Sequence, residues 1–312
     1  MFALREAAFS LSCFVLLYCL LSALVAAAWR PAKALRVAQR SVATILFALR
    51  VLPLLVSVIV TFALVVPSFQ LLEPRAMDEG MGAAPLGLGV CALLLIACGG
   101  FRLIAAQTRT TRVATVWLEG ARPLKADAEP APTFQSSRQT PPLTLVGICH
   151  PRVLVSESTV ALLSNNELRL ALKHELQHMK SHDNLKKLIF RCCPFPGLAN
   201  LETAWAQATE LAADDAAVSN RWDAIDLAAA LVKLSRLVPV EDAPVGTMYL
   251  VAGVLPQRVA RLLAWDEANK SRRVQIRAWF VIPPAVALSL LVSIAYGPVL
   301  ALTHDVTQWL AR

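Results

Sequence analysis

Four stretches of the chain are apolar for long enough to cross a bilayer, and a long segment of mixed polar and apolar character separates the third from the fourth. The apolar stretches cover 9–29, 43–69, 85–106 and 278–302. About 20 residues suffice for the hydrocarbon core, so each predicts a transmembrane helix. A cleaved signal is the rival reading of the first, but MFALRE carries no net side-chain charge and the run is long for a signal's apolar region. Arg50 and Pro53 interrupt the second span. Arg50 lies close to a basic loop, which predicts snorkelling to the interface rather than a functional charge within the membrane.

The intervening segment, 107–277, changes period several times. Val113 to Leu118, Leu143 to Ile148 and Arg152 to Val155 read as short strands, while 122–142 is rich in Pro, Ser and Ala and reads as a mobile loop. Ser164 followed by Glu167 is a capping-box pattern that starts a helix before His174. Pro194 and Pro196 end the helical material that follows. Further helices are predicted over 199–220, 223–238 and 257–270. The fold class is therefore an α-helical membrane protein of four transmembrane helices with an α+β domain between the third and fourth, and a short tail over 303–312.

Composition agrees, being 56% hydrophobic with a mean hydropathy of +0.55. The formal net charge of +8 could suggest nucleic acid, but between Gln107 and Ile276 there are 20 Lys and Arg against 17 Asp and Glu. The surplus flanks the apolar stretches instead, where it reports orientation. Arg30, Lys33, Arg36 and Arg40, then Arg102, Arg109 and Arg112, then Arg272, Arg273 and Arg277 mark cytoplasmic ends, which puts the N-terminus outside and the domain in the cytoplasm. No nucleic-acid partner is expected. The seven cysteines include no C-x-x-C pair, so neither a disulfide framework nor a thiolate metal site is signalled.

The chemistry centres on 172–183, LKHELQHMKSHD. His174, Glu175 and His178 form an H-E-x-x-H pattern. On a helix the two histidines share one face and can hold one Zn²⁺, while Glu175 stands beside that face as a base for metal-assisted amide hydrolysis. Two imidazoles do not complete a zinc site. Glu210, four residues before Asp214, supplies a third ligand and an acceptor for a ligand histidine. Glu202 is the competitor, but Ala206 one turn on can accept nothing. His182 fits a helix end better than a ligand, and His150 next to Pro151 fits a turn. His182 and Tyr249 are weak candidates for oxyanion donors.

His174-Glu175-Leu176-x-His178, Asp183 five residues on, and Glu210-x-x-x-Asp214 resemble the gluzincin membrane peptidases of the BlaR/MecR antirepressor type, as does the order of three spans, zinc domain and fourth span. The motifs that carry the likeness lie within 146–218. The resemblance implies one Zn²⁺ held by His174, His178 and Glu210, with Glu175 as general base and Asp214 behind a ligand. It also implies a bacterial cytoplasmic membrane and a protein substrate such as a transcriptional repressor. Relatives that sense β-lactams continue into a penicillin-binding domain, whereas this chain stops at Arg312, so β-lactam sensing is not expected. Ala213 and Pro194-Phe195-Pro196 also depart from the family's usual residues without removing a ligand. Two other readings are a quality-control or processing protease of HtpX or CAAX type acting on membrane proteins, and a zinc-stabilised scaffold without catalysis. An extended substrate would pair with an edge strand, either 143–148 or 152–155.

Overall fold

The computed structural model describes residues 2–33, 37–72, 82–124, 132–136, 140–148, 150–192, 194–195, 197–237, 248–266 and 296–311. Among these residues, three helical segments are long and apolar enough to cross a membrane. They are α1 (Phe2–Ala28), a second formed by α3 (Gln39–Val60), a π-helical turn (Thr61–Val65) and α4 (Val66–Leu72), and α5 (Ala83–Leu118); the short α2 (Arg30–Lys33) follows α1. Leu20, Leu55, Phe62, Leu94 and Phe101 point outward from them and are exposed. Side chains of that size turned to the surface in one belt suit a lipid environment. The fourth predicted span lies mostly outside the described residues. Its end falls in α12 (Tyr296–Ala311), whose Tyr296 hydroxyl donates to Ala63 O in the π-helical turn at 3.0 Å.

The predicted strand over 113–118 is helical. At 36 residues α5 is about 54 Å long, well beyond a ~30 Å hydrocarbon core, so one end projects from the apolar belt. Thr108, Thr110, Thr111 and Thr115 in this end donate their hydroxyls to carbonyls three or four residues back. Their β-branching is absorbed by the helix already running through them. The loop predicted over 122–142 contains two strands, β1 (Arg122–Pro123) and β2 (Thr133–Ser136). With β3 (Leu143–Val146) and β4 (Arg152–Ser156) they make a sheet ordered β1-β2-β4-β3, in which β2 and β4 are parallel and the other pairs antiparallel. β4 is thus interior and has no edge to offer. Of the two strands proposed for substrate pairing, β3 alone lies at an edge.

Behind the sheet come α6 (Glu157–Leu162), α7 (Asn165–Lys180), α8 (Asp183–Cys192), α9 (Ala199–Ala217), α10 (Arg221–Leu237) and α11 (Met248–Leu263). Val153, Val155 and Leu172 pack the sheet onto α7, while Leu170, Ala224, Leu227 and Leu262 join α7 to α10 and α11. The largest cluster bridges the apolar helices and the domain. It contains Val25 of α1 and Trp29 just after it, Val42 and Leu46 of α3, Phe190 of α8, and Leu201, Trp205 and Ala208 of α9.

Arg50 corrects the snorkelling reading. It is 2% exposed, its Nε donates to Glu202 Oε1 at 2.9 Å, and its guanidinium lies 5.6 Å from the centre of the Phe190 ring. A domain carboxylate pairs with the buried guanidinium. The turn after α8 is also gripped. Tyr18 of α1 donates to Pro194 O at 3.3 Å and meets Phe195 edge-on. On the other side a Cβ on Gly99 of α5 would lie 2.8 Å from Cys192 O.

Candidate metal centre

Three helices converge to build the centre. At the start of α7, Ser164 Oγ accepts from Glu167 N at 3.3 Å while Glu167 Oε2 accepts from Ser164 N at 2.7 Å, so the predicted capping box is present in full. Glu167 also takes a 2.7 Å bond from Lys233 of α10, which fixes the rotation of α7. One face of that helix then presents His174, which is buried, and His178 one turn later. Their Nε2 atoms lie 3.2 Å apart.

The third group comes from α9. Glu210 Oε2 lies 3.4 Å from His174 Nε2, and Glu210 Oε1 lies 3.6 Å from His178 Nε2. Glu202, two turns earlier, is engaged by Arg50 instead. Behind the imidazoles stand two more carboxylates. Asp183, the first residue of α8, holds His178 Nδ1 at 2.8 Å, and Asp214 Oδ1 lies 3.0 Å from His174 Nδ1, off the axis of an ideal hydrogen bond. Asp183 reaches back because α7 ends in a tight turn, with His182 at φ +54° and its N–H on Met179 O. His182 is therefore a helix-end residue, as its position suggested.

His174, His178 and Glu210 each turn one donor atom to a common point, all within 4.8 Å of one another, and this group could hold a metal ion. The donor set fits, because two imidazole nitrogens and a carboxylate suit a divalent first-row cation and both Nδ1 atoms already face acceptors. Electrostatics agree. Burial pushes the His174 imidazole down, but Asp214 and Glu210 outweigh it and raise its pKa to about 9. Burial would raise Glu210, yet His174, His178 and Arg258 hold its carboxyl well below the usual range. Glu175 is half-buried beside His174, and its charge acts on Arg258 as well. Tyr249 falls in α11, but its side chain lies outside the described residues.

Arg258 of α11 is the site residue that the sequence reading missed. Its Nε and Nη2 form a fork onto Asp214 at 2.8 and 2.7 Å, its Nη1 donates to Glu210 at 2.8 Å, and it is 5% exposed. A signal existed. In LPQRVARLL the two arginines are three apart on an otherwise apolar helix, and Arg261 pairs with Asp215 at 2.7 Å just as Arg258 pairs with Asp214. Two adjacent acids on one helix matched to two basic residues one turn apart on another is a helix-pairing pattern.

A paired-histidine helix with a carboxylate from a second helix, under a small sheet and packed on apolar helices, makes a candidate metal centre beside helices long and apolar enough to cross a membrane. Residues 122–262 match the family model described as BlaR1 peptidase M56, a match consistent with a BlaR/MecR-type family member. No curated protein and no solved structure matches the chain.

Proposed function

We propose that the protein is a zinc-dependent endopeptidase of the gluzincin kind, spanning a bacterial cytoplasmic membrane with its N-terminus outside and cutting a protein substrate at the cytoplasmic face. The observation that carries this reading is the convergence of the His174, His178 and Glu210 donors, with a carboxylate behind each imidazole. These three would hold the ion, and Asp183 and Asp214 would keep the Nδ1 protons so that both Nε2 lone pairs point inward. Zinc, when bound, supplies Lewis acidity towards a peptide carbonyl and eases the loss of a proton from water. Glu175 takes that proton and returns it to the departing amine. Arg258 keeps Glu210 and Asp214 compensated and fixed in place.

A regulatory role, with one or two substrates such as a transcriptional repressor, is supported by how α9 is mounted. The helix that carries Glu210 is packed along α3 and ion-paired to it through Arg50, so a displacement of the apolar helices reaches a ligand. The decisive test uses the full chain. Glu175→Gln should retain zinc while cleavage falls about 10²- to 10⁴-fold, and His174→Ala should lose the metal. Comparing new protein N-termini in cells making wild type or Glu175→Gln then names substrates. Turnover retained by Glu175→Gln would remove it as the base.

A further inference from the structure

An edge strand next to a peptidase centre offers its outward backbone groups to an extended substrate. In β3 the residues alternate. Pro142 O accepts from Ser156 N at 3.0 Å and Thr144 and Val146 sit opposite Leu154 and Arg152, so 142, 144 and 146 bond towards β4 while Leu143, Leu145 and Gly147 face out. Two of the outward carbonyls are already occupied. Asn184 Nδ2 donates to Leu145 O at 3.2 Å and to Gly147 O at 3.0 Å. Both partners are carbonyls, so the amide orientation is fixed by its acceptors.

A regular neighbouring strand could not reproduce this pair of bonds. Outward carbonyls two residues apart on an extended strand are too widely spaced to share one nitrogen. Here Gly147 turns at φ +90°, where a Cβ would lie 2.9 Å from His150 O, and the turn draws the two carbonyls together around Asn184. The pairing edge therefore ends at Leu145. Among the described residues, Leu143 keeps its N–H and C=O for a partner, and Leu145 keeps its N–H.

Asn184 also follows Asp183, which holds His178 at 2.8 Å. One peptide unit thus joins the residue that orients a metal ligand to the residue that ends the edge. We infer that Asn184 is a register stop. It fixes how far an extended polypeptide can pair along β3, and so which peptide bond comes to rest over the centre. This rests on the peptidase reading and adds to it a positioning residue that selects the cleavage site.

The test uses full-length, zinc-loaded protein in detergent with a library of synthetic peptides degenerate at every position, cut positions being read by mass spectrometry. Asn184→Ala frees both carbonyls, and Asn184→Asp sets a carboxylate against them. Because strand register slips by two residues when faces are kept, both variants should produce additional cuts displaced by two residues. In Asn184→Ala, KM for long peptides should fall roughly 2- to 10-fold, the worth of one net hydrogen bond, with kcat little changed. Zinc content and unfolding midpoint, measured alongside, identify a variant that has failed to fold. In that event Asn184→Ser, which keeps one donor, supplies the same readout. Cut positions unchanged from wild type in a folded variant would overturn the inference while leaving the peptidase reading intact. Zinc-loaded wild type that cuts no peptide would overturn both.

Discussion

Arg258 shows how much a single side chain can hold in this molecule. Its guanidinium faces Asp214, which is 1% exposed, so truncating it leaves a buried carboxylate without its two-pronged cation. Arg258→Met should cost about 3–5 kcal/mol of unfolding free energy in detergent, the range for breaking a buried pair. Arg258→Lys should recover little of this because an ammonium cannot make the two-pronged contact. At the other end of the site, Glu167 makes a pH-dependent contribution. Burial raises its carboxyl, but the bonds from Lys233 and Ser164 lower it further, so its folded pKa lies below the ordinary 4.5. The stabilisation is complete above that value and disappears as pH falls through the depressed one. Unfolding midpoints of Glu167→Gln should therefore decline less steeply below about pH 4.5 than those of wild type. The convergence of His174, His178 and Glu210 was legible because the two histidines lie one turn apart on one helix and Glu210 stands one turn before Asp214, both of them local patterns. Arg258 was not, because it meets its partners across 44 residues, and only the packing of α11 on α9 brings them together.

Among the elements, the capping box placed α7 because its signal is local, two side chains three residues apart closing on each other's backbone. The β-branched run Val113 to Leu118 misled for the opposite reason. Strand preference reflects a pleated, half-buried surface, and these residues instead prolong a helix nucleated within the apolar span. That same helix makes a close backbone approach to the domain. With Cys192 O only 2.8 Å from a Cβ at position 99, Gly99→Ala should push α8 from α5 at a cost of about 1–3 kcal/mol. Limited proteolysis should then cut sooner near the turn that follows α8. A wild-type digestion pattern would mean that the two helices have room to part.

At the scale of the whole molecule, apolar helices and domain form one packed body through Arg50 and Glu202 and the cluster around Trp205. The pair is asymmetric, the arginine side chain being 2% exposed and the glutamate 34%. Removing the buried group's partner should therefore hurt more than the reverse. Glu202→Leu should destabilise the detergent-solubilised chain by about 3–5 kcal/mol, and Arg50→Leu by clearly less. The double variant should come back close to wild type, since replacing a buried pair by packed apolar groups is often neutral. Equal losses in the two single variants would show that the contacts Arg50 makes besides Glu202 compensate its charge. The sequence displayed both charges but not their union, because charge pairing across 152 residues leaves no periodic trace.

That separation has a consequence in time. A ribosome adding 5–20 residues per second needs about 8–30 s to reach Glu202 after it has made Arg50. Through that interval the second apolar helix carries Arg50 without the carboxylate that α9 will bring to it. The arrival of α9 both closes the pair with Glu202 and delivers Glu210 to the histidines. The joining of α9 to the apolar helices and the delivery of Glu210 are thus a single late event in the life of the nascent chain.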